Sequence, residues 1–251
     1  KELFHSNILS FFIEKYPELA NELFGGSLGR ELKVSREEKH ADLVIRGNGR
    51  EIVVENKFKD VAKPSQLHEI ESRFPKATDF FLLSLLGENI HPSKIENWKE
   101  IPYRKMMQAL SNLKPNDDYH KLIIKDYLEN LEILISELSP LAICEEYDFY
   151  RTGNPSMEEW KAYRLHDVYM KYGLSKFEAY AEANIRNCSS ISITTSINNS
   201  KPTITFKFSA EAATLCIQIE DIQYRRAMIG DHSRLSKLEE IGWFDPNFKS
   251  R

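Results

Sequence analysis

A chain of 251 residues and 29.2 kDa can bury a sizeable core, as one large domain or as a core with an appendage. Hydrophobic residues at 41% and charged residues at 29% are the balance of an ordinary globular protein. A net charge of −4 excludes a globally basic nucleic-acid binder, so such a role needs a local basic surface.

The amino-terminal segment Glu2 to Phe24 reads as helix, with Leu3, Phe4, Ile8, Phe11, Phe12, Leu19 and Leu23 near helical spacing. Pro17 divides or kinks it and Gly25-Gly26 stops it. Glu31 to Ser35 is predicted as a short strand. Two β-branched runs then flank Asn48-Gly49, a pair suited to a type I′ turn because both central positions need φ > 0. With those two residues as the loop, Gly47 pairs with Arg50, Val44 with Val53, and Asp42 with Glu55. The hairpin is apolar on both faces, which predicts a sheet covered on both sides.

Pro64 opens a predicted helix, Ser65 to Phe74. Asp79 to Leu86 is a short apolar run that suits a buried strand. The order so far is α-β-β-β-α-β. Helices are expected over Tyr103–Leu113 and Asp117–Leu138, the second ended by Pro140. Ser156 caps a helix running to about Tyr172 and ended by Gly173, and Ser175 with Glu178 resembles a capping box for another. The aromatic residues from Trp160 to Tyr180 recur at helical spacing and read as core or as a contact between elements. Ser190–Ile197, Thr203–Phe208 and Leu215–Ile222 alternate as three strands, followed by a short helix and extended end over Ser233–Phe248. Residues 1–140 are expected to form a core with following helices, and residues 141–251 a helical and antiparallel β addition.

Cys144, Cys188 and Cys216 are scattered, with no Cys-x-x-Cys pair. Neither a disulfide framework nor a zinc ribbon is expected, which favours a reducing, cytoplasmic location. No apolar run approaches the length of about 18 residues needed for a membrane span, and no signal-peptide pattern is read.

The chemistry gathers at the end of the hairpin. Directly opposed residues stand roughly 5 Å apart, and like charges there repel. Period-two alternation puts Lys57 on the face of Asp42 and Glu55. Two carboxylates and an amine forced together point to a divalent metal. Mg²⁺ takes oxygen ligands and needs only one or two protein carboxylates, with the Asn56 carbonyl a third ligand. Such an ion activates water and offsets charge on a phosphate oxygen, while Lys57 orients or deprotonates the water or binds the phosphate. Glu-x-Lys alone carries little information: Glu31-Leu32-Lys33, Glu37-Glu38-Lys39 and Glu159-Trp160-Lys161 share it and read as solvated faces. The place of Glu55-Asn56-Lys57 opposite Asp42 sets it apart.

Asp42, the hairpin and Glu55-Asn56-Lys57 resemble the motif of the PD-(D/E)XK nuclease superfamily. Gln66, in Pro64-Ser65-Gln66-Leu67, matches a Gln that many members place beside the active site. Glu2, followed by His5-Ser6-Asn7, resembles the first helix of a bacterial branch. Ala41 stands where the motif usually has Pro. The match covers about the first third of the chain. It implies an α/β, restriction-endonuclease-like αβββαβ core carrying a helical and small antiparallel β addition. It also implies a metal-dependent hydrolase of DNA phosphodiesters using Mg²⁺, with Mn²⁺ as substitute. Asp42 and Glu55 would bind the metal, Lys57 would serve the water, and Gln66 and Glu2 would support the site.

Lys33, Arg36 and Lys39 run beside the site and are candidates for phosphate steering. His5, Ser6 and Asn7 read first as packing or capping residues of the helix, with phosphate contact by His5 and Ser6 the alternative. Glu14 is a rival to Glu2, and His40 opposes Lys57. Tyr224-Arg225-Arg226 reads as a strand-end charge cluster. The alternative function is a non-catalytic nucleic-acid- or protein-binding module on the same fold. A homodimer, or a partner bound through the carboxyl-terminal region, is compatible with either.

Overall fold

The computed structural model describes residues 2–58, 62–85, 96–138, 160–162, 166–185, 191–198, 201–210, 213–220, 223–230, 240 and 243. The chain divides into two compact units, residues 1–141 and 142–251.

The first unit is a mixed five-stranded sheet with helices. Its elements are α1 (Glu2–Lys15), α2 (Glu18–Phe24), β1 (Lys33–Glu38), β2 (Ala41–Gly47), β3 (Arg50–Lys57), α3 (Pro64–Arg73), β4 (Asp79–Ser84), β5 (Trp98–Pro102), α4 (Tyr103–Asn112) and α5 (Asp118–Leu138). The sheet order is β1-β2-β3-β4-β5. The β1–β2 and β2–β3 pairs are antiparallel, and β3–β4 and β4–β5 are parallel.

Pro17 separates α1 from α2, since proline offers no N–H to continue the first helix. Asn48 (φ 46°) and Gly49 (φ 75°) both take the left-handed backbone of a type I′ turn. Gly47 therefore pairs with Arg50, and the ladder runs to Leu43 opposite Val54. Leu43, Ile45, Ile52 and Val54 are fully buried on the face that α1 covers. Val44, Val53 and Leu82 are fully buried on the other, against Leu67 and Ile70 of α3. Both faces are covered, as the two-sided apolar pattern predicts.

β1 lies later than expected, at Lys33–Glu38, and Glu37 takes φ 52° within it. Strand β5 was not expected at all. Its Lys99-Glu100 centre hides the β signal of Trp98 and Ile101.

The second unit has α6 (His166–Asn184) and an antiparallel sheet of β6 (Ile191–Asn198), β7 (Lys201–Ala210), β8 (Ala213–Glu220) and β9 (Gln223–Gly230), in that order. α6 packs on β6 and β7. Leu174, Ala181, Ile193 and Ile204 form the core between them, with Phe177, Ile191 and Phe206 against it. Two sequence expectations change here. Gly173 does not end a helix but lies buried within α6, because packing outweighs a propensity cost of about 1 kcal/mol. A fourth strand, β9, contains Tyr224-Arg225-Arg226, and its charges mask its alternation. The turn at 153–156 and, apart from Glu240 and Trp243, the tail at 233–248 lie outside the described residues, as does the Ser175 side chain. Among the described residues, no helix is long and apolar enough to cross a membrane.

Candidate active site

The β2–β3 ladder ends at Leu43 and Val54, one residue before Asp42 and Glu55. Past that point the Asp42 side chain takes over the pairing: the Asn56 N–H donates to Asp42 Oδ2 at 2.7 Å. Asp42 is half-buried, whereas Glu55 keeps 3% and Lys57 8% of their surface. A carboxylate and an ammonium so enclosed need partners, since desolvation penalises each charge. Lys57 Nζ lies 2.9 Å from Glu55 Oε1, and Gln66 Nε2 donates to the same oxygen at 2.8 Å. Gln66 reaches it because Pro64 starts α3, placing Gln66 in the first turn over the end of β3. Asp42, Glu55, Lys57 and Gln66 thus meet on one face.

Asn56 faces the other way. Its side chain, 1% exposed, donates from Nδ2 to Ser6 Oγ at 3.0 Å and accepts from the Tyr103 hydroxyl at 2.6 Å. Of Asn56, only the main chain is available to the carboxylate face. Ser6 is fully buried in this network and His5 is 8% exposed. His5 stacks on Phe58 with centroids 3.7 Å apart and is hydrogen-bonded through Nδ1 to the Tyr127 hydroxyl at 2.9 Å. Burial pulls its pKa down to about 4, so the ring is neutral at pH 7. Burial likewise pushes the Tyr127 hydroxyl up. Of the two readings of His5 and Ser6, the structure places both as packing and hydrogen-bonding residues of the core, not on the carboxylate face.

The basic candidates disperse. Lys33 is exposed on the edge strand β1. Arg36, also exposed, donates to Asn7 Oδ1 on α1. Lys39 donates to the Arg73 carbonyl at 3.2 Å and lies over the Phe74 ring. That is the carboxyl-terminal end of α3, whose 10 residues span about 15 Å from the end that carries Gln66. His40 is exposed in the turn before β2 with φ 68°, and Glu14 is exposed on α1. Glu2 begins α1, and its side chain lies outside the described ones. In the second unit, Arg225 is bound to Glu220 Oε2 at 3.2 Å.

The strands beyond β3 add two residues that the sequence reading missed. Ser84 pairs in register with Lys57, and Leu82 with both Glu55 and Glu100. Ser84, fully buried, donates to Glu100 Oε1. A second acid, Glu100 on β5, is therefore tied to Ser84, the strand neighbour of Lys57. No local pattern announces it, because parallel neighbours are joined only by distant crossovers.

Among the described residues, no group of three or more His, Cys, Asp and Glu side chains gathers as a metal site. Two carboxylates alone are fewer and harder donors than zinc sites use, which gather three or four His, Cys or carboxylate ligands. Two carboxylates on one face do suit a hard cation such as Mg²⁺, which keeps most of its waters. No family model, no curated protein and no solved structure matches this chain.

Proposed function

We propose that the chain is a Mg²⁺-dependent nuclease that hydrolyses DNA phosphodiesters, built on a restriction-endonuclease-like core. One observation carries the reading: Glu55 Oε1 is gripped by Gln66 and Lys57 while Asp42, across the hairpin, is held by the Asn56 N–H. The order helix, β1-β2-β3, α3, β4 supports it through its resemblance to the PD-(D/E)XK core.

Asp42 and Glu55 would hold the ion, each with one oxygen oriented by its protein partner. A bound divalent ion supplies neutralisation of the charge that grows on the phosphate. Lys57 keeps its ammonium beside that position, where it binds a phosphate oxygen or orients the attacking water. Gln66 fixes the Glu55 carboxylate. Ser84 stands beside Lys57 in register and is itself bound to Glu100.

A second reading, a binding module without catalysis, draws on the Lys57–Glu55 pair, which neutralises the buried carboxylate without an ion. Calorimetry with Mn²⁺ and Mg²⁺ on the wild type, Asp42→Ala and Glu55→Ala, with plasmid nicking in parallel, separates the two. The nuclease binds ion and nicks DNA, and both variants lose both. A folded wild type that binds neither ion leaves the second reading.

A further inference from the structure

Asn56 lies between Glu55 and Lys57 yet shows its side chain to the opposite face of the sheet. There it joins two helices to β3. Ser6 of α1 accepts from its Nδ2, and Tyr103, the first residue of α4, donates to its Oδ1. Asn56 is 1% exposed, and Ser6 and Tyr103 are fully buried. Buried polar groups with such partners are costly to disturb, because breaking one bond leaves a desolvated group behind.

The same residue reaches the carboxylate face through its main chain, where its N–H holds Asp42 Oδ2. Alternation along the strand puts Glu55 and Lys57 on that face, one on each side. Any rotation of the Asn56 peptide would therefore release Asp42 and turn both neighbours. We propose that Ser6, Asn56 and Tyr103 form a positioning set: from the back of the sheet, they fix the Asn56 peptide and so aim Asp42, Glu55 and Lys57. The metal-binding part of this proposal rests on the nuclease reading. The coupling of Tyr103 to the Asn56–Asp42 bond does not.

The test uses the full chain with Tyr103→Phe and Ser6→Ala, which each remove one of these bonds. Tyr127→Phe is the control, since it removes another buried hydroxyl, one bound to His5. Two quantities are read: the amide proton shift of Asn56 by NMR without metal, and Mn²⁺ affinity by calorimetry. Asp42→Ala gives the amide shift expected when the N–H loses its carboxylate. Tyr103→Phe is expected to move the Asn56 amide toward that value and to weaken Mn²⁺ binding about tenfold, the size seen when a ligand loses its orienting partner. Tyr127→Phe is expected to leave both in place. If Tyr103→Phe does not fold, Ser6→Ala carries the same comparison.

An Asn56 amide that stays put in Tyr103→Phe and Ser6→Ala overturns the inference, reducing the set to ordinary core bonds. An amide that moves in a protein whose wild type binds no Mn²⁺ overturns the nuclease reading and leaves the coupling of Tyr103 to Asp42 standing.

Discussion

The N–H of Asn56 meets Asp42 Oδ2 at 2.7 Å, beyond the last paired residues of the hairpin, Leu43 and Val54. The carboxylate thus closes the hairpin as well as facing the proposed ion. These two tasks separate by substitution. Asp42→Asn keeps an oxygen able to accept from Asn56, whereas Asp42→Ala leaves that N–H unpaired. Urea unfolding of the metal-free protein should show Asp42→Ala losing about 1–3 kcal/mol and Asp42→Asn clearly less. Calorimetry should show both losing Mn²⁺ binding. Equal stability losses in the two variants would count against the hydrogen bond as the stabilising element.

Glu55 and Lys57 are a buried pair, 4% and 9% exposed at their side chains. Removing Glu55 takes from the enclosed Lys57 ammonium the carboxylate 2.9 Å away. Glu55→Ala is expected to cost about 3–5 kcal/mol in the metal-free protein. Replacing both charges by apolar side chains, as in Glu55→Leu with Lys57→Met, should recover most of that loss while abolishing nicking. The double variant proving no more stable than Glu55→Ala would rule out the lost charge pairing as the cause.

The hairpin and its site were legible because their determinants are local. Asn48-Gly49 sets the register, which brings Asp42 and Glu55 just past its last pair, Leu43 and Val54, and alternation adds Lys57. Gln66 was legible through Pro64, which fixes where α3 begins. What escaped depends on distant pairing. Ser84 comes beside Lys57, and Glu100 beside Ser84, only because β4 adds in parallel to β3 and β5 to β4. Tyr103 reaches Asn56 only through the packing of α4 behind the sheet. His5 and Ser6 form a polar run on a helix, a pattern that surface and core share, and burial decides between them. Gly173 and β9 show the same limit, where packing overrides a helix breaker and a pair of arginines.

Two glycines in the hairpin should respond differently to alanine. A Cβ on Gly49 would meet nothing within 4 Å, so only its φ of 75° resists. Gly49→Ala is expected to cost about 1 kcal/mol, the penalty of the left-handed region. A Cβ on Gly47 would lie 2.2 Å from the Leu28 carbonyl oxygen, a backbone atom that cannot swing aside. Gly47→Ala should therefore cost more, about 1–3 kcal/mol or beyond, as overpacking does. Thermal unfolding of the two variants checks the order, and the reverse order would mean that the 25–32 loop yields freely.

His5 should give the first unit a pH dependence of its own. Its pKa falls to about 4 in the folded protein, chiefly through burial, against about 6.5 when unfolded. Between those values the unfolded chain binds a proton that the folded chain refuses. Stability is therefore unaffected by His5 above about pH 6.5, falls as pH drops from 6.5 toward 4, and levels off below. The difference of about 2.5 pH units corresponds to about 3 kcal/mol. The carboxyl of Glu38, held down to about 2 chiefly by hydrogen bonds from Arg46, loses its contribution mainly below this window. His5→Phe keeps the stacking area on Phe58 but removes the titration, at the cost of the Tyr127 bond. Urea unfolding at pH 7.0 and 5.0 should show the wild type losing more stability than His5→Phe between the two. Parallel losses would mean that His5 accepts a proton in place, with its ring less enclosed than its 8% exposure implies.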